Sequence, residues 1–373
     1  MLVEIHMLQN HAPSNLNRDD TGSPKDCFFG GSLRARISSQ CLKRSIRRSP
    51  IFEAQLKERL GTRTRGLPKL LRDELATLGC TESECSLIAK KASAFGSGKE
   101  DEKAEETRQL IFLDPAEVSA LACELKSILE REGAEGFAKL KIEDIEKQLS
   151  RKLPLSVDIA LFGRMTTTSA FQDVEASMQV AHAFSTGKLD KQFDYYTGVD
   201  DLVQSSDDDE KGAGMIGDVE FNSATYYKYF SLDWDEFVDK LGGDVETASV
   251  ALTAFIRAAA LTTPTGKQNS FAAHNPPDAI LVEIKKEKLP VSYANAFVKP
   301  IRASAEADVI EASIAALSSY SASLKEAYGI RPLASLYMTV RGEKIAGAER
   351  VATLDDLTKQ TLAALGAPPA AGA

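Results

Sequence analysis

The stretch RARISSQCLKRSIRR, Arg34 to Arg48, carries Arg34, Arg36, Lys43, Arg44, Arg47 and Arg48 and no acid. Cationic groups at this density are suited to phosphate oxygens. A helix is expected to array them. Ser38 or Ser39 can cap it, and Leu42 and Ile46 give it an apolar seam. Gln40, Lys43, Arg44 and Arg47 then share one face, at i, i+3, i+4 and i+7. A basic stripe that begins at an open helix N-terminus fits a phosphate backbone. A solvated surface helix could carry the same stripe. Here, however, Lys25, Arg34 and Arg36 precede it, and composition alone points equally to nucleic acid.

The concentration of positive charge contrasts with the chain as a whole. Its 373 residues carry a formal net charge of -9. That balance argues against polyanion binding by the entire surface. It leaves room for a local groove, because binding follows the phosphates neutralised at the site.

Other residues invite other chemistry. In NLNRDD, Asp19 and Asp20 beside Arg18 could hold Mg²⁺ and activate water. Adjacent carboxylates are also common turn formers, and no third carboxylate or base completes a constellation. TTPTGKQNS holds Gly266 and Lys267, but Leu261 stands where a nucleotide-binding loop needs its first glycine. Lys267 remains a candidate for a backbone phosphate, against the alternative of a polar loop. Cys27, Cys41, Cys80, Cys85 and Cys123 are odd in number and scattered, as reduced cytosolic thiols are. Cys80 and Cys85 lack a neighbouring His for a zinc site. No cofactor or metal is expected. The aromatic signature of a base-stacking RRM sheet is absent.

The elements that must position these residues follow from periodicity. At 43% hydrophobic and 27% charged the chain is globular, with no run long enough to span a membrane. LVEIHML alternates as a half-buried strand, and HAPSNLNRDDTGSPKD reads as a long loop. Residues 66 to 155 are helical in pattern. Thr81 with Glu84 sits at capping-box spacing, and Asp114-Pro115 starts a helix that Gly133 ends. A further helix is expected from Val174 to Phe184. YYTGVDDLVQSSDDDEKGAGMIGDVEF predicts two extended arms of a hairpin joined by an acidic loop. Asp244 to Thr262 and roughly 304 to 327 predict helices; Ala279 to Ile284 and Leu333 to Val340 predict strands. The whole is an α+β fold in which the ferredoxin-like pattern is the natural candidate.

Several of these segments, in order, carry a resemblance. HAPSNLNRDDTGSPKDCFFGGSLRARISSQCLKRSIR closely resembles the N-terminal signature of the CasC family, the backbone subunit of the type I-E CRISPR Cascade complex. IALFGRM, QVAHAFSTGK, YYTGVDDL, GAGMIG and TPTGKQNSFA extend the match from residue 5 to about 285. The resemblance implies an RRM-like palm (1–60 and 226–373), an inserted helical fingers domain (61–180) and a long thumb hairpin (181–225). It implies a cytoplasmic, non-catalytic protein that stacks head to tail along the spacer of a CRISPR RNA (crRNA), beside other Cascade subunits. The bound crRNA would then be presented to target DNA. Lys25, Ser38, Gln40, Lys43, Arg44 and Arg47 map onto the RNA-backbone cradle, with Arg34, Arg36 and Lys267 as further cationic candidates. Met165 and Ile216 map onto apolar wedges against bases. The acidic VQSSDDDEKGAG departs from what the family has at the thumb tip. A rival of another class is a metal-dependent ribonuclease using Asp19 or Asp20, as related type III backbone subunits do.

Overall fold

A computed structural model describes residues 1–100, 103, 105–149, 155–166, 168–198 and 215–370. The chain divides into two compact units. One comprises Met1–Phe52, Val180–Leu232 and Leu252–Ala373; the other comprises Glu53–Gln179 and Asp233–Ala251.

The first unit is built on a large, mostly antiparallel sheet. Its strands are β1 (Leu2–Ser14), β2 (Asp26–Phe29), β3 (Ser32–Ile37), β4 (Ala183–Ser185), β5 (Gln192–Gly198), β6 (Met215–Asp233), β7 (Ala279–Lys285), β8 (Ala334–Thr339) and β9 (Glu349–Arg350). They run in the order β9-β8-β7-β1-β6-β4-β3-β2, with β5 paired to β6. Helix α1 (Ser39–Arg47) follows β3, and a four-residue turn of helix, α2 (Gln268–Phe271), precedes β7. Helix α3 (Val309–Tyr328) starts on a capping box of Asp308 and Glu311 and ends on Gly329 in the left-handed conformation. It buries Ile310, Ile314 and Leu317 in a cluster with Leu8, Tyr227, Leu281 and Tyr337 from the sheet.

β1 is not half-buried. Its alternation of Val3, Ile5 and Met7 with Glu4 and His6 suggested a wet face, yet all five residues are fully buried. The polar positions form a compensated network instead. Glu4 and Glu283 are directly opposed in the β1–β7 register, where like charges repel. Lys285 pairs with Glu4, which also accepts hydrogen bonds from Tyr229 and from the Val291 amide. Lys325 Nζ lies 2.7 Å from Glu283, which also accepts from Tyr293 and Ser335. His6 bonds Tyr227 at 2.8 Å and stacks on Tyr293 with ring centroids 4.5 Å apart. Glu4, His6 and Glu283 lie close enough to hold a cation, but two ammonium groups already balance the two carboxylates.

Burial pushes His6 down to about 4 and His11 down to about 3. The unfolded chain takes up these protons near pH 6.5; the folded chain does not until far lower pH. Stability contributed by both histidines is therefore complete above pH 6.5 and falls as pH drops toward 4. Glu4, raised by burial, acts in the opposite sense. The charged neighbour acting on His11 is Lys228. Urea titrations of the isolated protein at successive pH values should show His11→Gln reducing the slope between pH 4 and 6 by about one proton, or ~1.4 kcal/mol per pH unit.

The second unit is mainly helical. Leu67–Thr77, Glu82–Ala92 and Pro115–Lys139 pack Leu71, Leu75, Ile88, Leu121 and Leu125 into one core. Thr81 with Glu84 forms the expected capping box, and at the expected helix start Asp114 forms another with Glu117. Gly133 ends the first stretch of its helix, as expected: it leaves helical geometry at φ 68° and ψ 164°, and a second stretch runs on to Lys139. Val174 to Phe184 is not helical. Val174 bridges to Arg164, and the chain then runs extended through Met178–Val180 and Ala183–Ser185. Among the described residues no helix is long and apolar enough to cross a membrane.

Candidate nucleic-acid interface

Helix α1 begins where the serines allow it. Ser38 is the N-cap, and its Oγ accepts from the Cys41 amide at 3.3 Å. Leu42 and Ile46 are buried, which turns the opposite face outward. Gln40 and Arg44 are exposed, and Lys43 and Arg47 are half-buried. The first turn carries no acid, and the last carries Arg44 and Arg47. The leading amides, at Ser39 and Gln40, are thus left at the positive end of the helix dipole for an outside acceptor. Ser38 itself is spent on the cap. Ser38→Ala should cost about 1 kcal/mol of stability in denaturant unfolding.

Lys25 and Arg36 join this face through the backbone. The Arg36 amide donates to the Lys25 carbonyl at 2.9 Å, immediately beside the β2–β3 pairing. Arg36 then reaches Asp26 O and His182 Nδ1, each at 3.0 Å. His182 is held below its ordinary value by partial burial and by the charges of Arg36 and Lys25. Burial raises the Cys41 thiol, while Arg44 and Lys25 pull it down. Lys25 thus lies near enough to act on both His182 and Cys41. His182 was not singled out from the sequence; an isolated His within QVAHAFS gives no signal until the fold sets it beside Arg36.

Arg34 must be removed from the basic face. It is fully buried. Its Nη1 donates to the carbonyls of Ser185 at 2.9 Å, Thr186 at 2.7 Å and Gly187 at 3.4 Å. Its Nη2 donates to Phe297 at 2.8 Å and Val298 at 3.0 Å. The guanidinium braces the unit from inside; Arg36, two residues on and so on the same face of the strand, is only partly buried. Arg34→Ala would strand these carbonyls and should cost at least about 3 kcal/mol, read as a large fall in Tm of the isolated protein.

Lys267 lies on a loop seated against the same region. Gly266 is packed so tightly that a Cβ would fall 2.4 Å from the Leu16 carbonyl oxygen and 2.6 Å from that of Asn15. Asn17, next along, accepts the Ser38 amide on Oδ1 at 2.8 Å, and its own carbonyl accepts the Lys25 amide at 2.8 Å. The segment from Asn15 to Asn17 thus organises Lys25, α1 and the Lys267 loop. Its role was hidden in the sequence, where NLNRDD drew attention to its carboxylates. Asp19 in fact forms a turn: its Oδ1 accepts from the Thr21 amide, the Thr21 hydroxyl and the Ser23 amide at 2.7 to 3.0 Å. Asp20 is exposed beside it.

The two apolar candidates are both displayed. Met165, in the helical unit, is 93% exposed. Its mount is rigid. Gly163 stops the helix Val157–Phe162 at φ 76°, and Arg164 plunges into the core to make a two-pronged pair with Glu117 at 2.6 and 2.8 Å. The Thr166 amide is fixed by Asp173 at 2.7 Å. Ile216, in the sheet unit, is 61% exposed on the hairpin of β5 and β6. It is paired with Thr197 and shares a face with exposed Tyr195 and Phe193. The space beside Gly217 is filled by Tyr196, whose hydroxyl oxygen would lie 2.5 Å from an added Cβ. The acidic turn between the arms, 205–211, lies outside the described residues, as does Gly214.

The sheet unit thus presents a cationic face on α1 and exposed Ile216, and the helical unit presents exposed Met165; a clustered basic face is the kind of footprint that nucleic acid binding requires. The family model of the CT1975-like proteins matches residues 3–365, and the chain belongs to that family. Its structure is similar to a chain of a "CRISPR RNA-guided surveillance complex, pre-nicking", with TM-score 0.80 and 28% identity over 98% of this chain and 100% of that one. A chain of another "CRISPR RNA-guided surveillance complex" is similar at TM-score 0.63 and 25% identity, over 98% and 100%. No curated protein matches the chain.

Proposed function

We propose that this chain is a non-catalytic crRNA-binding backbone subunit of a type I-E Cascade complex. In this reading the sheet unit is an RRM-like palm, the helical unit the fingers, and the β5–β6 hairpin the thumb. Copies stack head to tail along the spacer, bind other Cascade subunits, and present the RNA to target DNA in the cytoplasm. The observation that carries the proposal is the outward basic face of α1, joined by Lys25 and Arg36, on a chain of net charge -9. Lys43, Arg44, Arg47, Gln40 and Lys267 complete the cradle. Contacts confined to phosphates suit a protein that must accept any spacer, since phosphates carry no sequence information. Pairing by the RNA then does the reading.

In the ribonuclease alternative Asp19 would act from a turn that its own Oδ1 closes, with Asp20 exposed beside it. Assembled complex incubated with complementary RNA and Mg²⁺ should leave that RNA intact. Cuts at regular spacing would overturn the reading and restore Asp19 or Asp20 as a catalytic candidate.

A further inference from the structure

We infer that Lys191, with Asp26, Glu220 and Asn15, is a positioning device that fixes the phosphate-binding face against the root of the hairpin. The inference rests on the RNA-binding role proposed above and assigns a task to residues outside the cradle. Lys191 looks like one more phosphate ligand. It is exposed, and it lies one residue before β5. Its ammonium is nonetheless committed: Nζ lies 3.2 Å from Asp26 and 3.1 Å from Glu220, and both carboxylates raise its pKa. Asp26 follows Lys25 directly and opens β2. Glu220 belongs to β6 and faces Phe193 of β5. One cation therefore ties the start of β2, next to Lys25, to both arms of the hairpin.

A second tie runs beside it through buried Asn15. Its Nδ2 donates to the Gly22 carbonyl and to the Glu220 carbonyl, each at 3.0 Å. The Gly22 bond fixes the loop that leads to Lys25; the Glu220 bond fixes the same hairpin residue that Lys191 holds. Asn17, two residues on, anchors Lys25 and the start of α1. The parts form a closed circuit: α1, Asn17, the 18–25 loop, Asp26, Lys191, Glu220, Asn15. A filament protein needs such a circuit if its grip on phosphate and the place where its hairpin crosses the strand are to keep one spacing in every copy. Small errors in orientation at each copy would add along the array.

The sign of a charge change separates positioning from direct binding. If Lys191 simply competed between acids and phosphate, Glu220→Gln or Asp26→Asn would release it and remove a negative charge, and RNA binding would tighten. If the brace positions the cradle, both changes loosen it, and binding weakens by about tenfold despite the more favourable charge. Lys191→Met should weaken binding by a similar factor. The probe is a fluorescein-labelled single-stranded RNA of mixed sequence, titrated onto the full-length protein by anisotropy at several salt concentrations. Asp26 is the more exposed partner, so Asp26→Asn decides the matter if Glu220→Gln unfolds. Tightened or unchanged binding by Asp26→Asn would overturn the inference while leaving the RNA-binding role intact. Wild-type protein that ignores the probe at low salt would overturn both.

Discussion

Reversing two charges on the outward face of α1, Lys43→Glu with Arg44→Glu, should abolish RNA-dependent assembly while the isolated subunit still folds. The fold should survive because the helix is held by Leu42 and Ile46, which point the other way and are buried. The cap at Ser38 is also untouched. The effect on RNA should be large for three reasons. Two cations are lost, two anions are introduced, and in the proposed cradle both lie on the helix whose N-terminal amides would meet the same phosphates. Each phosphate contact removed also lowers the salt dependence, by roughly one unit of slope in log affinity against log salt. Anisotropy titrations across salt, with a thermal melt as control, check this. Unchanged RNA retention with an unchanged slope would place the cradle elsewhere in the chain.

Truncating the wedges, Met165→Ala with Ile216→Ala, is the second large expected effect. Each side chain is mostly in solvent, at 93% and 61% exposure, so neither contributes much to the fold of its unit. The monomer Tm should barely move. Loss of an apolar surface against a displaced base is expected to cost roughly 1–3 kcal/mol per site on the scale of base–aromatic stacking. The loss recurs in every copy of an array, so filament stability and target-DNA binding should fall steeply. Met suits this task because an unbranched thioether can meet any base. Its mount matters as much. Arg164 is anchored on Glu117 and on the carbonyls of Phe112 and Gln172, so the residue beside it cannot retreat. A double variant that melts far below wild type without RNA would show that the two side chains support the fold instead.

The legible part of this molecule was what local rules control. The serine cap, the apolar seam of Leu42 and Ile46, the capping box at Thr81, the helix start at Asp114, and the strands at 279–285 and 334–339 all follow from spacing within a few residues. What escaped depends on partners far along the chain. Glu4 and His6 read as the wet side of a strand because their partners, Lys285, Glu283 and Lys325, arrive only when β7 and α3 pack. Arg34 read as part of a basic surface because nothing local says that it faces five carbonyls from residues 185 to 298. Asn15 and Asn17 carried no charge and so no signal, yet they hold the segments that bear Lys25 and α1. Tyr196 over Gly217 shows the same limit: a glycine announces a close approach, but not of what.

The account stands on this chain gripping RNA through phosphates, and that is most directly tested by the nucleic acid it retains. The protein, expressed with its complex partners and a CRISPR array and purified at low salt, should retain RNA of uniform length whose sequence is that of the array's spacers. Retention should fall steeply as salt rises, since the contacts are ionic. A preparation that carries no RNA at low salt, with α1 intact and the protein folded, would contradict it.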